Sequence, residues 1–405
     1  MKKLLQISLG IVTSVGGFLE TGLIATSTQA GAAFGYRLIW AVILGTICLI
    51  FLVEMSGRFA IASRMTIADG IRDRFGSNMF VVMLAITFIV NLMVLAAEIG
   101  GVSLALQFVT GWSFQWWAVP VAIAVWLLLW QGTFGIIEDG VSFLGLIALS
   151  IVVAMFVMGP PWAEVAHGAM PTLPDKDPLH YAFIAVGILG AVISPYLFFF
   201  YSSGAIEDKW DKSYFGINRA IAILGMSFGA IISVAIIVLA AMIYPPRGIE
   251  DVEGYEQIAM ILTPAFGGWG LYLFSGSLLI TCFGAALEVS LAQSYLVAQG
   301  FGWNWSESAR PRTDPAFCLV YTICILIAVV PIALGLDPLT VTIFSMAITA
   351  VSLPFGVVPF IFLMNDRKYV GDHVNGLIGN AVVLFVIGLA FLFAIVTIPL
   401  QIWGG

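Results

Sequence analysis

Eleven stretches of this chain stay apolar for long enough to cross ~30 Å of hydrocarbon, and that recurrence constrains the fold more than any motif does. They lie near residues 5–34, 37–58, 78–108, 114–131, 134–158, 179–204, 216–244, 267–298, 314–334, 338–363 and 377–402. A bilayer offers no water to backbone N–H and C=O groups, so runs of this kind must satisfy them within helices. Charged residues make up only 10% of the chain and hydrophobic ones 61%, whereas a soluble globule is about 25% charged. The sequence is therefore expected to fold as an all-α polytopic membrane protein, one transmembrane domain over residues 1–405. Residues 1–35 do not read as a cleavable signal, because their apolar run carries Glu20 and continues into an organised helix pattern.

The basic residues assign a side to each loop. With the N-terminus inside, thirteen of the sixteen lysines and arginines fall in inner loops, and only Arg37, Lys176 and Arg247 fall outside. The acidic run Glu250-Asp251-Val252-Glu253 lies on an outer loop. The positive-inside rule then gives eleven spans with the N-terminus cytoplasmic and the C-terminus extracytoplasmic, in a cytoplasmic (inner) membrane. Tryptophans 112, 116, 117, 162, 269 and 403 lie near span ends, where amphipathic rings anchor at the interface. The mixed, charged stretch Thr66–Phe75 is expected as a short surface helix inside.

Two of the spans are interrupted in corresponding places. The first carries Glu20 within Gly16-Gly17-Phe18-Leu19-Glu20-Thr21-Gly22, and the sixth carries Gly187-Ile188-Leu189-Gly190-Ala191-Val192-Ile193-Ser194-Pro195. Their starts are five segments apart, which implies two five-helix halves, about 5–158 and 179–363, and an extra helix near 377–402. An odd repeat length makes the halves inverted. Two interrupted helices so placed are the sequence's best pointer to a midplane binding site. Pro195 has no amide hydrogen to donate, which frees a carbonyl one turn earlier.

Few residues can carry chemistry at that depth. A carboxylate at bilayer depth costs at least ~2.5–3.5 kcal/mol, so it rarely sits there without a task. Glu20, Glu54, Glu98 and Glu288 are acids that fall within or at the edges of the spans. Glu54, near a span end, can snorkel to water. Glu98, among Ala96, Ala97, Gly100 and Gly101, suits either a proton-carrying role or a buried hydrogen-bonding one. Glu288 lies deep in segment eight beside Ala285, Ala286 and Ser290, with no basic partner evident. The four cysteines, Cys48, Cys282, Cys318 and Cys324, fall in apolar runs and read as packing residues, neither disulfide nor zinc ligands. His167, His180 and His373 are expected in loops. No nucleophile–base pair, nucleotide loop or cofactor motif is present, so neither an enzyme nor a cofactor is expected, and no nucleic-acid or obligate protein partner.

Particular residues also carry a likeness. Segment one continues Gln29-Ala30-Gly31-Ala32-Ala33-Phe34-Gly35-Tyr36, segment three holds Ala97-Glu98, and Pro160-Pro161-Trp162 through Pro171 leads to Gly187–Ala191. Leu353-Pro354-Phe355 lies near the end of helix ten, and Asp366-Arg367-Lys368 and Val374-Asn375 in the loop beyond it. In these the chain resembles the NRAMP family of divalent-metal transporters over nearly its whole length. The resemblance implies the LeuT-like fold, a 5+5 inverted repeat plus one helix, with helices one and six broken at the midplane. The family's Asp-Pro-Gly-Asn motif reads Glu20-Thr21-Gly22-Leu23 here, and its Met-Pro-His reads Ser194-Pro195-Tyr196. Its carbonyl-donating alanine matches Ala191, its helix-ten glutamine Ser352, its segment-three aspartate Leu95, and a second helix-six histidine Tyr201.

The resemblance thus places a metal on Glu20, Ala191 and Ser194, with Thr21, Gly22 and Ser352 in the substrate site. Glu98, Glu288 and Tyr196 are the proton or coupling candidates. Where the family has a thioether this chain has the Ser194 hydroxyl, so the site is expected to be an oxygen one that favours a hard ion such as Mg2+ or Mn2+ over soft metals. In this respect the chain looks closer to the magnesium-transporting relatives. The expected function is secondary transport of a divalent cation by alternating access, as a symporter or uncoupled. The alternative is a small organic substrate held by the aromatic run Tyr196, Phe198, Phe199, Phe200 and Tyr201, with Glu20 as proton or cation site.

Overall fold

A computed structural model describes residues 20–131, 145–172, 174 and 176–403 of the protein. Twelve principal helices recur in the account that follows. These are α1 (Thr21–Phe34), α2 (Ile39–Ser63), α3 (Ile67–Thr110), α4 (Phe114–Trp130), α5 (Leu149–Met158), α6 (Pro178–Val192), α7 (Pro195–Glu207), α8 (Phe215–Ile243), α9 (Trp269–Phe301), α10 (Pro315–Ala333), α11 (Pro338–Leu363) and α12 (Leu377–Trp403). Among the described residues there is no strand. Among the described residues, eight units are long and apolar enough to cross a membrane: α2, α3, α6 with α7, and α8 to α12. The apolar helices α4 and α5 are shorter. The part of segment one before Glu20, with Gly16 and Gly17, and residues 132–144 of segment five lie outside the described residues.

The expected surface helix at Thr66–Phe75 is present, but it runs directly into the third span. Thr66 caps it by accepting a hydrogen bond from the Asp69 amide. At Gly76 the backbone turns to φ 84°, ψ 168°, a conformation that essentially only glycine adopts. The surface helix and the span are thus two pieces joined by one glycine.

Lipid tails are as apolar as leucine, so helices in a bilayer associate through close packing and polar contacts. Gly31 lets α1 press on α8, since a Cβ there would lie 2.6 Å from the Ala240 methyl. Gly101 does the same where α3 meets α1 and α9, 2.8 Å from the Cys282 sulfur by the same measure. Most interior hydroxyls bond back into their own helix, as Thr28 does to the Ile24 carbonyl (2.8 Å) and Thr46 to Val42 (2.7 Å). Apolar residues such as Ile89, Leu326, Leu384 and Ile395 face outward, as a lipid-facing rim requires.

Several of the basic loops meet one another. Arg58 donates to the His373 carbonyl and to Asn375, Arg64 to the Trp210 carbonyl, and Arg72 to those of Gln299 and Gly300. Arg74 pairs with Asp366 and Lys368 with Asp73. Loops distant in sequence therefore close one basic face together.

Candidate functional site

The interruption in segment six is narrow. Helix α6 ends at Val192, Ile193 (φ −96°, ψ 58°) and Ser194 (φ −77°, ψ 125°) leave the helix, and α7 restarts at Pro195. A helix through this point would bond the Ala191 carbonyl to the amide of residue 195. Proline has none, so that carbonyl is released at the turn. Ala191 is 2% and Ser194 1% exposed, and the Ser194 Oγ has no hydrogen-bond partner. Proline is also the favoured first residue of a new helix, which explains why α7 begins there.

Glu20 stands at the start of α1 in an extended conformation, φ −95° and ψ 165°, and its carbonyl accepts the first bonds of the helix from Leu23 and Ile24. Its side chain does not cap that helix. Glu98 from α3 does so instead: the Thr21 amide (3.0 Å) and hydroxyl (2.7 Å) both donate to Glu98 Oε1. A carboxylate at a helix N-terminus also meets the positive end of the helix dipole. The Cys282 side chain of α9 lies beside the same carboxylate, and the Tyr255 hydroxyl donates to the Thr21 carbonyl at 3.0 Å. Thr21 thus commits all its polar groups to neighbouring helices, and Glu20 is left with its carboxylate directed elsewhere.

That carboxylate joins the start of α1 to the interruption in segment six. The Tyr196 hydroxyl, in the first turn of α7, is hydrogen-bonded to Glu20. Glu98 and Glu288 are near enough for their charges to act on Glu20. One oxygen of Glu20 and one of Glu98 are buried without a hydrogen-bond partner. Among the described residues no three His, Cys, Asp or Glu side chains converge tightly enough to hold a metal by themselves. A cation at Glu20 would therefore need donors outside that set, and the open Ser194 hydroxyl and the Ala191 carbonyl stand at the break in segment six.

Other expected residues have different surroundings. Ser352, on α11, is buried and donates back to the Thr349 carbonyl at 2.8 Å. Glu54 is held by Arg58 at 3.1 Å, an i,i+4 pair. The snorkelling expected of Glu54 is therefore an ion pair on the basic face. His167 lies in a short helix, Trp162–Gly168, and His180 in the first turn of α6, both outside the loops expected for them, whereas His373 is in a loop. The aromatic run is largely core: Phe198 packs against Phe199 (5.0 Å) and Phe360 (5.2 Å). Tyr255, Cys282 and Met346 were not legible as site neighbours, since each reaches α1 or α3 from a distant segment. The three atoms nearest a Cβ built on Gly22 all belong to Met346.

The profile of the family described as Natural resistance-associated macrophage protein-like matches residues 10–399. A protein of Yersinia enterocolitica named divalent metal cation transporter MntH is 26% identical over 386 residues, 92% of this chain and 90% of its own length. Proteins of the same name from Xylella fastidiosa strain Temecula1 and Deinococcus radiodurans are 29% and 26% identical, over 89% and 90% of this chain and 78% and 83% of their own. The structure superposes on the Eremococcus coleocola manganese transporter with a TM-score of 0.81 at 19% identity, covering 98% of this chain and 87% of that one. It superposes on Mhp1, a nucleobase-cation-symport-1 family transporter, with a TM-score of 0.60 at 14% identity, covering 98% and 92%. At these identities the likeness is one of fold, and the fold is the LeuT-like one.

Proposed function

Because the chain belongs to the natural resistance-associated macrophage protein-like family, we propose that it is a transporter, not an enzyme, and carries a divalent metal cation across the membrane it spans. The observation that carries this reading is the meeting of the start of α1 with the interruption in segment six. There the Glu20 carboxylate and the Ser194 hydroxyl have capacity left after the protein's own contacts, and Pro195 withholds the helical partner of the Ala191 carbonyl. Glu20 is the principal ligand, Ala191 and Ser194 complete the shell with water, and Tyr196 orients the Glu20 carboxylate. Glu98 and Glu288 hold the local charge negative, which attracts a cation or a proton. Glu98 also fixes α1 through Thr21. Gly22 borders the site without donating to the ion, and Ser352 turns its hydroxyl back into α11.

The donors on the two interruptions are all oxygen. By themselves they suit a hard divalent cation that keeps several waters, Mg2+ or Mn2+. Access alternates as one five-helix half moves against the other around this point, in a cytoplasmic membrane with the basic face inside.

Uptake of Mg2+, Mn2+ and Ca2+ into proteoliposomes tests the reading. Glu20→Ala is expected to abolish uptake while the protein still elutes as a folded species. Failure of the unaltered protein to take up or bind any of the three ions, under any imposed gradient, overturns it.

A further inference from the structure

Segment six carries a hydroxyl at Ser194 and no thioether there, and the fold brings one from α11 against the first turn of α1. Met346 is buried, and its sulfur lies 2.7 Å from the position a Gly22 Cβ would take. Gly22 is two residues from Glu20. The Met346 backbone carbonyl lies 3.7 Å from the corresponding point on Gly190, next to Ala191. One residue of α11 therefore stands against both the first turn of α1 and the end of α6. It also lines a cavity bounded by Thr26, Gln29, Gly187 and Ala350, which has room for about one water.

Packing alone is a weak account of a methionine here. An apolar wedge between two half-helices needs bulk, and leucine supplies that with fewer rotamers to lose. Methionine adds a polarisable sulfur on three rotatable bonds, able to turn within the space left by a residue without a side chain. The oxygen atoms left open at Glu20 and Ser194 are the hard half of a mixed donor set.

We propose that Met346 is the specificity-determining residue of the cation site and supplies the soft donor that position 194 lacks. The proposal rests on Glu20, Ala191 and Ser194 holding the metal, and it shifts the selectivity of that site. Mn2+, which accepts oxygen and thioether together, and Cd2+, which favours sulfur, gain over Mg2+ and Ca2+.

The test compares Cd2+, Mn2+ and Mg2+ binding by calorimetry to the full chain, together with X-ray absorption at the cadmium edge. The proteins compared are the unaltered chain, Met346→Leu, Met346→Ala, Cys282→Ser and Glu20→Ala. Met346→Leu keeps bulk and is expected to fold normally. It should weaken Cd2+ at least about tenfold, leave Mg2+ unchanged within about twofold, and lose the Cd–S signal. Cys282→Ser should retain that signal. The proposal is overturned if Leu and methionine bind Cd2+ alike and only Ala alters binding, which would make Met346 an apolar plug. It is equally overturned if the Cd–S signal survives Met346→Leu or disappears with Cys282→Ser. If Glu20→Ala still abolishes binding in those cases, the metal site stands and only the role of Met346 is lost. If the unaltered chain binds none of the three ions, the site itself is refuted.

Discussion

At the scale of single residues, two glutamates that look alike in sequence are set to different work by their neighbours. Glu20 leaves its own helix uncapped, while Glu98, 77 positions away, accepts both the amide and the hydroxyl of Thr21. Removing Glu98 should therefore disturb α1 before it disturbs charge. Glu98→Gln keeps a carbonyl acceptor for Thr21 and is expected to fold with little loss of thermal stability. Glu98→Leu leaves two donors buried and unpaired, at a cost of about 1–3 kcal/mol each, and should lower the melting temperature clearly. Equal stability in the two variants would show that Glu98 does not anchor α1. Proton flux through Glu98→Gln then separates anchoring from coupling: flux that persists excludes Glu98 as the only proton carrier. The depth of these acids was legible in the sequence, because a charge amid apolar residues is visible there. Their division of labour was not, since it depends on which oxygen meets which amide across helices.

At the scale of elements, the break in α6–α7 is local chemistry. Ile193 and Ser194 leave the helix because Pro195 has no amide for Ala191 and readily starts a new helix. Pro195→Ala restores the missing donor and removes the clash with the preceding turn. It is expected to extend the helix through the break, occupy the Ala191 carbonyl, and weaken Mn2+ binding at least about tenfold. Thermal stability should hold or rise, because an interior helical bond is added. Unchanged Mn2+ affinity in a folded Pro195→Ala protein would remove the Ala191 carbonyl from the site. The kink in α3 has an equally local origin in Gly76, whose positive φ splits the surface helix from the span. Such breaks were readable from proline and glycine placement to within a few residues. Met346 was not, because nothing in its own segment marks it as facing a helix three hundred residues earlier.

At the scale of the whole molecule, one face gathers the basic loops, and an acidic knot sits where α7 ends. Ser306 donates to Glu207 at 2.5 Å and so ties the loop 302–314 to α7. In that loop burial, and after it the charges of Glu207 and Asp208, push the Glu307 carboxyl from near 4.5 up to about 7. A raised folded value means that the folded loop holds its proton more tightly than the unfolded chain does. The stability it contributes is complete below about 4.5 and is lost as the pH climbs through about 7. Hydrogen exchange in residues 302–314, corrected for its intrinsic pH dependence, should thus be slower at about pH 5.5 than at about pH 8. Glu307→Gln should erase the difference. A difference that persists in that variant would place the titrating group elsewhere.

By itself the sequence determined the class of fold, the gathering of basic residues in particular loops, the break at Pro195 and the burial of Glu20. Each of these follows from short-range chemistry: hydropathy over a span, charge in a loop, a missing amide, a carboxylate among apolar neighbours. Only the tertiary structure decided which partners reach the site: Glu98 and Tyr255 on Thr21, Tyr196 on Glu20, Met346 on Gly22. Those contacts join residues tens to hundreds of positions apart. Helices in a bilayer choose their rotation by packing small residues against whatever fits them, a choice that no single segment encodes.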